Sequence, residues 1–448
     1  MGFNYDVAVI GTGTSAYTAA YACRGARKKV AVMDRLPYGG TCSLRGCQPK
    51  KYLVAAADAV AHVSNMQGIG LDGAPEINWS TLMSSKNEFT DYVPDETENG
   101  FLEEDIDTFY GHARFKGMNI LAVGAQEISA SHIIIATGAE PRHLDIPGED
   151  LLTFSDEFMN LSSLPKEIIF IGGGFISFEF AHVANQAGAK VTILQRGNRV
   201  LKSFDPDLVQ KLVESSEESG VMVKKEVCVD KIEEKEGRLL LHCLENPGEV
   251  FDADMVVHGA GRVPTIDDLD LEQGEVDYSE KGITVNDYLQ STTNPSVYAI
   301  GDVAATPYRL ATTGDMEGEI AAKNILGDNK FQAEYSVVPT VVFTSPPMAS
   351  VGLSEAEATE TGKKIKISFG DMTGWNSSKR IGQKHAAYKV IIDEDSDLIL
   401  GAHLLGHNAE EAINIFSLAI RHKLTTTDLK KTLWAYPTYI SDIKYMIG

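Results

Sequence analysis

Asp6-Val-Ala-Val-Ile10 runs directly into Gly11-Thr-Gly13-Thr-Ser-Ala16, then into an alanine-rich stretch, and then into Lys29-Val-Ala-Val-Met33, closed by Asp34. A short apolar run, a glycine turn, a helix-forming stretch and a second apolar run predict strand, turn, helix and parallel strand over residues 5–35. Gly11 permits the tight turn, Gly13 lets the backbone approach a pyrophosphate, and Ala16 lets the helix pack closely with its N-terminus facing the phosphates. Asp34 then stands where a carboxylate holds the hydroxyl pair of a ribose. The competing reading is a merely tight strand–helix turn, which would not require the terminal acid.

The same unit recurs at an offset of 161 residues, with Gly172 in place of Gly11, Gly174 of Gly13, Ser177 of Ala16, and Lys190-Val191 of Lys29-Val30. Glu167-Ile-Ile-Phe-Ile therefore opens a second dinucleotide-binding fold, and two such folds imply two dinucleotides. Where the first unit has Asp34, the second has Gln195, followed by Arg196 and, further on, Lys202. An acid there would repel a 2′-phosphate, whereas a neutral residue beside two cations accommodates one. The second nucleotide is expected to be NADPH, unless Arg196 and Lys202 are only solvated loop charges.

Around this duplicated core the composition is that of a globular chain, 43% hydrophobic over 448 residues with a formal net charge of −23. That field repels nucleic-acid backbones and anionic lipid surfaces. No apolar run approaches the roughly 18 residues of a membrane span. The first residues show neither a signal-peptide pattern nor a myristoylation pattern, so a cytoplasmic location is expected. Five cysteines are too few and too scattered for an extracellular disulfide framework, and only Cys42 and Cys47 form a motif.

That motif is Gly39-Gly40-Thr41-Cys42-Ser-Leu-Arg-Gly-Cys47-Gln-Pro-Lys50-Lys51. Its spacing can bring the two sulfurs together at a helix start, where the dipole favours a thiolate. Zinc would need two further ligands that the neighbouring sequence lacks. A structural disulfide is disfavoured in a reducing compartment. A redox-active pair fed by an adjacent flavin is the remaining and favoured reading.

Together with Ile133-Ile-Ile-Ala-Thr137-Gly138, Gly172-Gly-Gly-Phe-Ile-Ser-Phe-Glu179, Ala260-Gly-Arg-Val-Pro264, Tyr298-Ala-Ile-Gly-Asp302 and Pro339-Thr-Val-Val-Phe343, the motif resembles the flavoprotein disulfide reductases over nearly the whole chain. This is the group of glutathione reductase, dihydrolipoamide dehydrogenase and mercuric reductase. The resemblance implies an α/β protein with two Rossmann-like domains and an α+β C-terminal dimerisation domain. FAD would be bound by residues 1–148 and 262–333, NAD(P) by 149–261, and a homodimer formed through 334–448. It makes Cys47 the flavin-proximal sulfur and Cys42 the interchange thiol that meets substrate, with electrons passing from NADPH through FAD to the pair. His112 and Ala113 would contact the FAD adenine, and Thr137, Gly138 and Asp302 its pyrophosphate and ribitol, while Gly40, Thr41, Gly261 and Arg262 would be further cofactor-binding residues. Glu179 would pair with a lysine beside the flavin, either Lys50 or Lys51. Phe175 would cover the nicotinamide site, where Tyr is common.

The pattern breaks near the C-terminus. A His-Pro-Thr-x-x-Glu segment supplies the family's proton-accepting pair from the partner subunit, but here Tyr436 replaces the His and Ser441 the Glu. A tyrosine with a pKa near ~10 is a poor base at neutral pH, though it can donate a hydrogen bond. Tyr436 is either catalytic or an interface packing residue. Asp442 lies one residue late, and its role is not transferred. Mercuric reductases also tend to carry Tyr there, yet no cysteine follows Cys243 in this chain. Tyr21 stands where glutathione reductases place a carboxylate-binding arginine. His403 and His407 are expected on one strand face as surface or interface histidines. The expected function is NADPH-dependent reduction of a small disulfide or related thiol-reactive acceptor. The alternatives are reduction of a soft metal ion such as Hg(II), and a flavin-binding redox sensor or complex subunit.

Overall fold

The computed structural model describes residues 2–244, 248–327 and 329–448. Strand β1 (Tyr5–Ile10), helix α1 (Thr14–Gly25) and strand β2 (Val30–Asp34) form the predicted unit. The strands run parallel, with Val7 opposite Val30 and Ile10 opposite Met33. Val7, Ala8 and Val9 are all buried, because a parallel strand is covered on both faces and needs apolar residues at successive positions. Helix α1 buries Ala16, Ala19, Ala20 and Cys23, an i, i+3, i+4, i+7 stripe that faces the sheet.

The chain divides into two compact units. The first comprises Met1–Lys51, Ser84–Arg142 and Gly261–Tyr335, the second Tyr52–Met83, His143–Ala260 and Ser336–Gly448. In the first, the parallel strands Asp107–Tyr110, β2, β1, Gln126–Ile135 and Val297–Ala299 lie in that order. An antiparallel extension, Ile120–Val123 and Ala113–Gly117, grows from the far end of Gln126–Ile135.

The second unit repeats the parallel arrangement in the order Val221–Lys225, Lys190–Gln195, Glu167–Ile171 and Met255–His258, with the helix Phe175–Gln186 after the glycine turn. A five-stranded antiparallel sheet in residues 340–405 carries the helix Ala409–Arg421, which buries Ala412, Ile413, Phe416 and Ala419. This is the mixed α/β architecture the sequence predicts. Among the described residues no helix is long and apolar enough to cross a membrane.

One expectation is corrected. His403 is buried on the strand Ile399–Leu405, with Nδ1 3.0 Å from Ser350 Oγ and Nε2 3.2 Å from the Leu353 carbonyl, whereas His407 lies beyond that strand and contacts His62 at 3.1 Å. The two share no ligand position, and His403 is a core residue with both ring nitrogens engaged.

His182 makes stability acid-sensitive. It is buried on Phe175–Gln186, with Nδ1 accepting from the Ser345 N–H and Nε2 2.9 Å from Ser216 Oγ. Burial pushes its pKa down to about 4. Since the unfolded chain binds this proton near pH 6.5, the stabilisation is full above that value and is lost as pH falls towards 4, by on the order of 3 kcal/mol. Urea unfolding at pH 7 and pH 5 should show a shallower pH dependence for His182→Gln than for the wild type. Equal dependence would remove His182 as the cause.

Candidate active site

Gly11 sits at φ 115°, and a Cβ there would overlap the carbonyl oxygen of Ala136 on the neighbouring strand end. Only glycine lets the chain turn this tightly against the sheet. Gly13 immediately precedes α1, and a side chain at Gly40 would run into the Gly13 backbone, so the two glycines allow the cysteine segment to lie against the turn. Asp34 is oriented there. Its Oδ2 accepts from the Thr12 N–H at 3.0 Å and the Thr12 hydroxyl at 2.7 Å, and its Oδ1 from the Leu36 N–H at 2.9 Å.

Across the α1 N-terminus, a side chain at Gly301 or Gly314 would run into Ser15. This close approach brings in the turn Gly301–Val303 and its Asp302. Burial raises the pKa of Asp302, with Arg262 and Arg309 opposing the shift. Thr137 donates its hydroxyl to the Thr265 carbonyl at 2.7 Å, and nothing lies within 4 Å of where a side chain would begin at Gly138. Gly261 accepts from the Arg142 N–H at 3.1 Å, and Arg262 donates to the Ala139 carbonyl. His112 is 3.5 Å from Asp268, which also pairs with Arg35, and Ala113 is buried at the start of its strand. Sequence reading missed Glu317. It is fully buried, accepts from the Gly301 N–H at 2.6 Å and the Tyr335 hydroxyl at 2.6 Å, and so fixes the turn that carries Asp302.

Cys42 belongs to the short helix α2 (Gly40–Leu44), just after Thr41, and Cys47 is the first residue of α3 (Cys47–Asn65). Both are thiols, and they hydrogen-bond to each other. That bond raises the Cys42 pKa, as do burial and the negative charges of Cys47 and Asp315, while Lys50 opposes the shift. The first turn of a 19-residue helix favours negative charge on Cys47. Lys50 is the lysine whose charge reaches Cys42; Lys51 is exposed. Among the described residues the only acids, histidines or cysteines grouped closely enough to share a metal are Asp205, Asp207 and Glu355.

In the second unit Gly172, at φ 106°, meets the Gly259 carbonyl as Gly11 meets Ala136. Gln195 Oε1 accepts from the Gly173 N–H at 2.8 Å, the counterpart of Asp34 with Thr12. Gly174 precedes the helix Phe175–Gln186, Phe175 is half exposed, and Ser177 is fully buried beside Gly259. Arg196 and Lys202 are exposed and make no ion pair among the described residues. Arg199, which sequence reading passed over, is a third such cation. Glu179 is buried rather than solvated, and its Oε1 accepts from the Phe343 N–H at 3.0 Å. It lies in the second unit, whereas Lys50 and Lys51 lie in the first.

Tyr436 is 78% exposed on the rim of a cavity of about 390 Å³. It forms no pair with Ser441, whose hydroxyl donates to the Thr438 carbonyl at 2.6 Å; Asp442 instead accepts from the Ser377 hydroxyl at 2.5 Å. The chain carries no proton-accepting dyad at this position.

Residues 5–318 match the pyridine nucleotide-disulphide oxidoreductase family, and residues 338–447 match its dimerisation domain; the chain belongs to that family. It is 31% identical to a glutathione reductase of Burkholderia cepacia, over 97% of each chain. It is 32% identical to a mercuric reductase of Staphylococcus aureus, over 98% of this chain and 81% of the relative. In three dimensions it resembles the HOCl-induced flavoprotein disulfide reductase RclA of Escherichia coli, with a TM-score of 0.90 and 25% identity over 99% of each chain.

The chain is thus an NAD(P)H-dependent flavoprotein disulfide oxidoreductase with a dimerisation domain, and the family implies FAD and a pyridine nucleotide. The residues of the first unit fit FAD. The glycine turn opens the α1 N-terminus to phosphate, Gly138 leaves open space, and Asp34 offers an oriented acceptor to sugar hydroxyls.

Proposed function

We propose that this protein oxidises NADPH and reduces a small disulfide or related thiol-reactive acceptor at Cys42 and Cys47. The observation that carries this reading is the pair of neighbouring thiols at the start of α3, with their segment packed against the glycine turn. Residues 1–148 and 262–333 would hold FAD, through Gly11, Gly13, Ala16, Asp34, Gly40, Thr41, His112, Ala113, Thr137, Gly138 and Asp302, with Gly261 and Arg262 at the boundary of the two ranges as further cofactor-binding residues. Residues 149–261 would hold NADPH, through Gly172, Gly174, Phe175, Ser177, Arg196 and Lys202. Residues 334–448 would form the homodimer, in a cytoplasmic setting. Bound FAD supplies two-electron transfer between the nicotinamide and the cysteine pair.

Cys42, once deprotonated, attacks one sulfur of the acceptor, and the departing thiolate takes up a proton. The Cys47 thiolate then attacks Cys42 Sγ, closing the Cys42–Cys47 disulfide and releasing the second half of the acceptor as a thiolate, which takes its proton from solvent. Two electrons leave the pair, and one acceptor disulfide becomes two thiols. Lys50 or Lys51 would supply the positive charge beside the flavin.

A second reading, reduction of a soft metal ion, draws on the mercuric reductase relative and on the two adjacent thiols. Steady-state kinetics of the FAD-loaded protein with NADPH across small disulfides and Hg(II) separates the readings. Rapid turnover of a disulfide supports the first, metal-dependent NADPH oxidation the second, and turnover of neither a redox sensor.

Glutathione disulfide is expected to be a poor acceptor. Tyr21 offers no cation for its carboxylate, and it packs against the Tyr17 ring at 4.2 Å. The missing His–Glu pair removes a proton acceptor that general-base catalysis values at about 10²–10⁴-fold. Tyr436→His with Ser441→Glu should raise disulfide turnover near neutral pH, whereas Tyr436→His alone should not. Wild-type kcat/KM above about 10⁶ M⁻¹s⁻¹ with glutathione disulfide would contradict this account.

A further inference from the structure

Lys389 lies on the strand Ala387–Asp393, and its side chain is only 2% exposed. Its Nζ is 2.8 Å from Asp205 Oδ2, 2.5 Å from Asp207 Oδ2 and 3.0 Å from Glu355 Oε2. Burial works against the ammonium, but hydrogen bonds to Asp207 and Glu355 and the ion pair with Asp205 more than compensate and raise its pKa. Asp205 is equally buried and caps the helix Pro206–Ser219, its Oδ1 accepting from the Asp207 and Leu208 N–H groups at 3.1 and 3.3 Å.

This latch closes a loop. The segment from Arg196 to Lys202, with its three exposed cations, leaves the strand at Gln195 and is pinned on the Gly173 peptide from both ends. Gln195 Oε1 accepts the Gly173 N–H, and the Leu201 N–H donates to the Gly173 carbonyl at 2.8 Å. Leu201 and Phe204 are buried, and Asp205 follows at once. A side chain at Gly173 would strike Val200, so the clamp is tight.

We infer that Lys389 is a positioning residue for nucleotide specificity: by holding Asp205 it fixes the Arg196–Lys202 loop in the conformation that offers its cations to the 2′-phosphate of NADPH. This rests on the NADPH reading above. A loop ordered before binding spares the nucleotide the entropic cost of ordering it, and that gain applies only to the ligand that touches the loop.

The test is calorimetric titration of 2′,5′-ADP and 5′-AMP into the wild type and variants, with KM for NADPH and NADH measured alongside. Lys389→Met alone leaves Asp205 buried without its counter-ion, a change costly enough to unfold the protein. The double variant Lys389→Met, Asp205→Asn removes both charges and keeps a good helix cap. In the folded double variant, affinity for 2′,5′-ADP should fall about tenfold and KM for NADPH rise to match, with 5′-AMP binding and kcat unchanged. Unchanged 2′,5′-ADP affinity, or equal weakening of both ligands, overturns the role of Lys389. Equal binding of the two ligands by the wild type overturns the NADPH reading itself, and the inference with it.

Discussion

Replacing Cys47 by serine is expected to abolish the long-wavelength thiolate-to-flavin absorbance of the reduced protein and to lower acceptor turnover by at least about 10³-fold, the scale on which removal of a nucleophile is felt. Replacing Cys42 by serine should lower turnover as severely yet keep the absorbance. The difference follows from where the two sulfurs lie. Cys47 opens α3, whose N-terminus stabilises a thiolate, while Cys42 is in the separate short helix α2. Should the absorbance survive in Cys47→Ser and vanish in Cys42→Ser, the order of the two sulfurs is the reverse of that proposed.

The second large effect concerns the nucleotide. NADPH should be preferred over NADH, and Arg196→Ala with Lys202→Ala should reduce kcat/KM for NADPH more than tenfold while changing that for NADH little. Charge-assisted bonds to a phosphate are roughly twice as strong as neutral ones, and these side chains have no competing ion-pair partner among the described residues. Arg199 stands in the same loop, so adding Arg199→Ala should deepen the loss. A wild-type preference for NADH, or an unchanged ratio in the double variant, would contradict the assignment.

Most of the fold could be read from glycines. Gly11 and Gly172 are legible because each meets a carbonyl that leaves no room for a side chain, and such a constraint leaves the same mark wherever it recurs. The cysteine motif was legible because its chemistry is local: Cys42 and Cys47 sit in consecutive helices. What stayed hidden depends on partners far away in the chain. Glu317 reads as an ordinary helix acid until the fold brings Gly301 to it, and Lys389 as a surface lysine on a strand until Asp205 and Asp207 arrive from the other half of its unit. His403 misled for the same reason, since strand alternation gives its face but not its burial. Gln195 shows in the sequence only the charge it lacks, whereas in the fold its amide also holds the Gly173 peptide.

The most direct test is anaerobic titration of the FAD-loaded protein with NADPH, followed by its absorption spectrum. If Cys42 and Cys47 are a redox-active pair, the first equivalent should produce the long-wavelength absorbance while the flavin stays oxidised, and a small disulfide should discharge it. Bleaching of the flavin by the first equivalent, with no such absorbance, would show that the cysteine pair takes no electrons and would contradict the account.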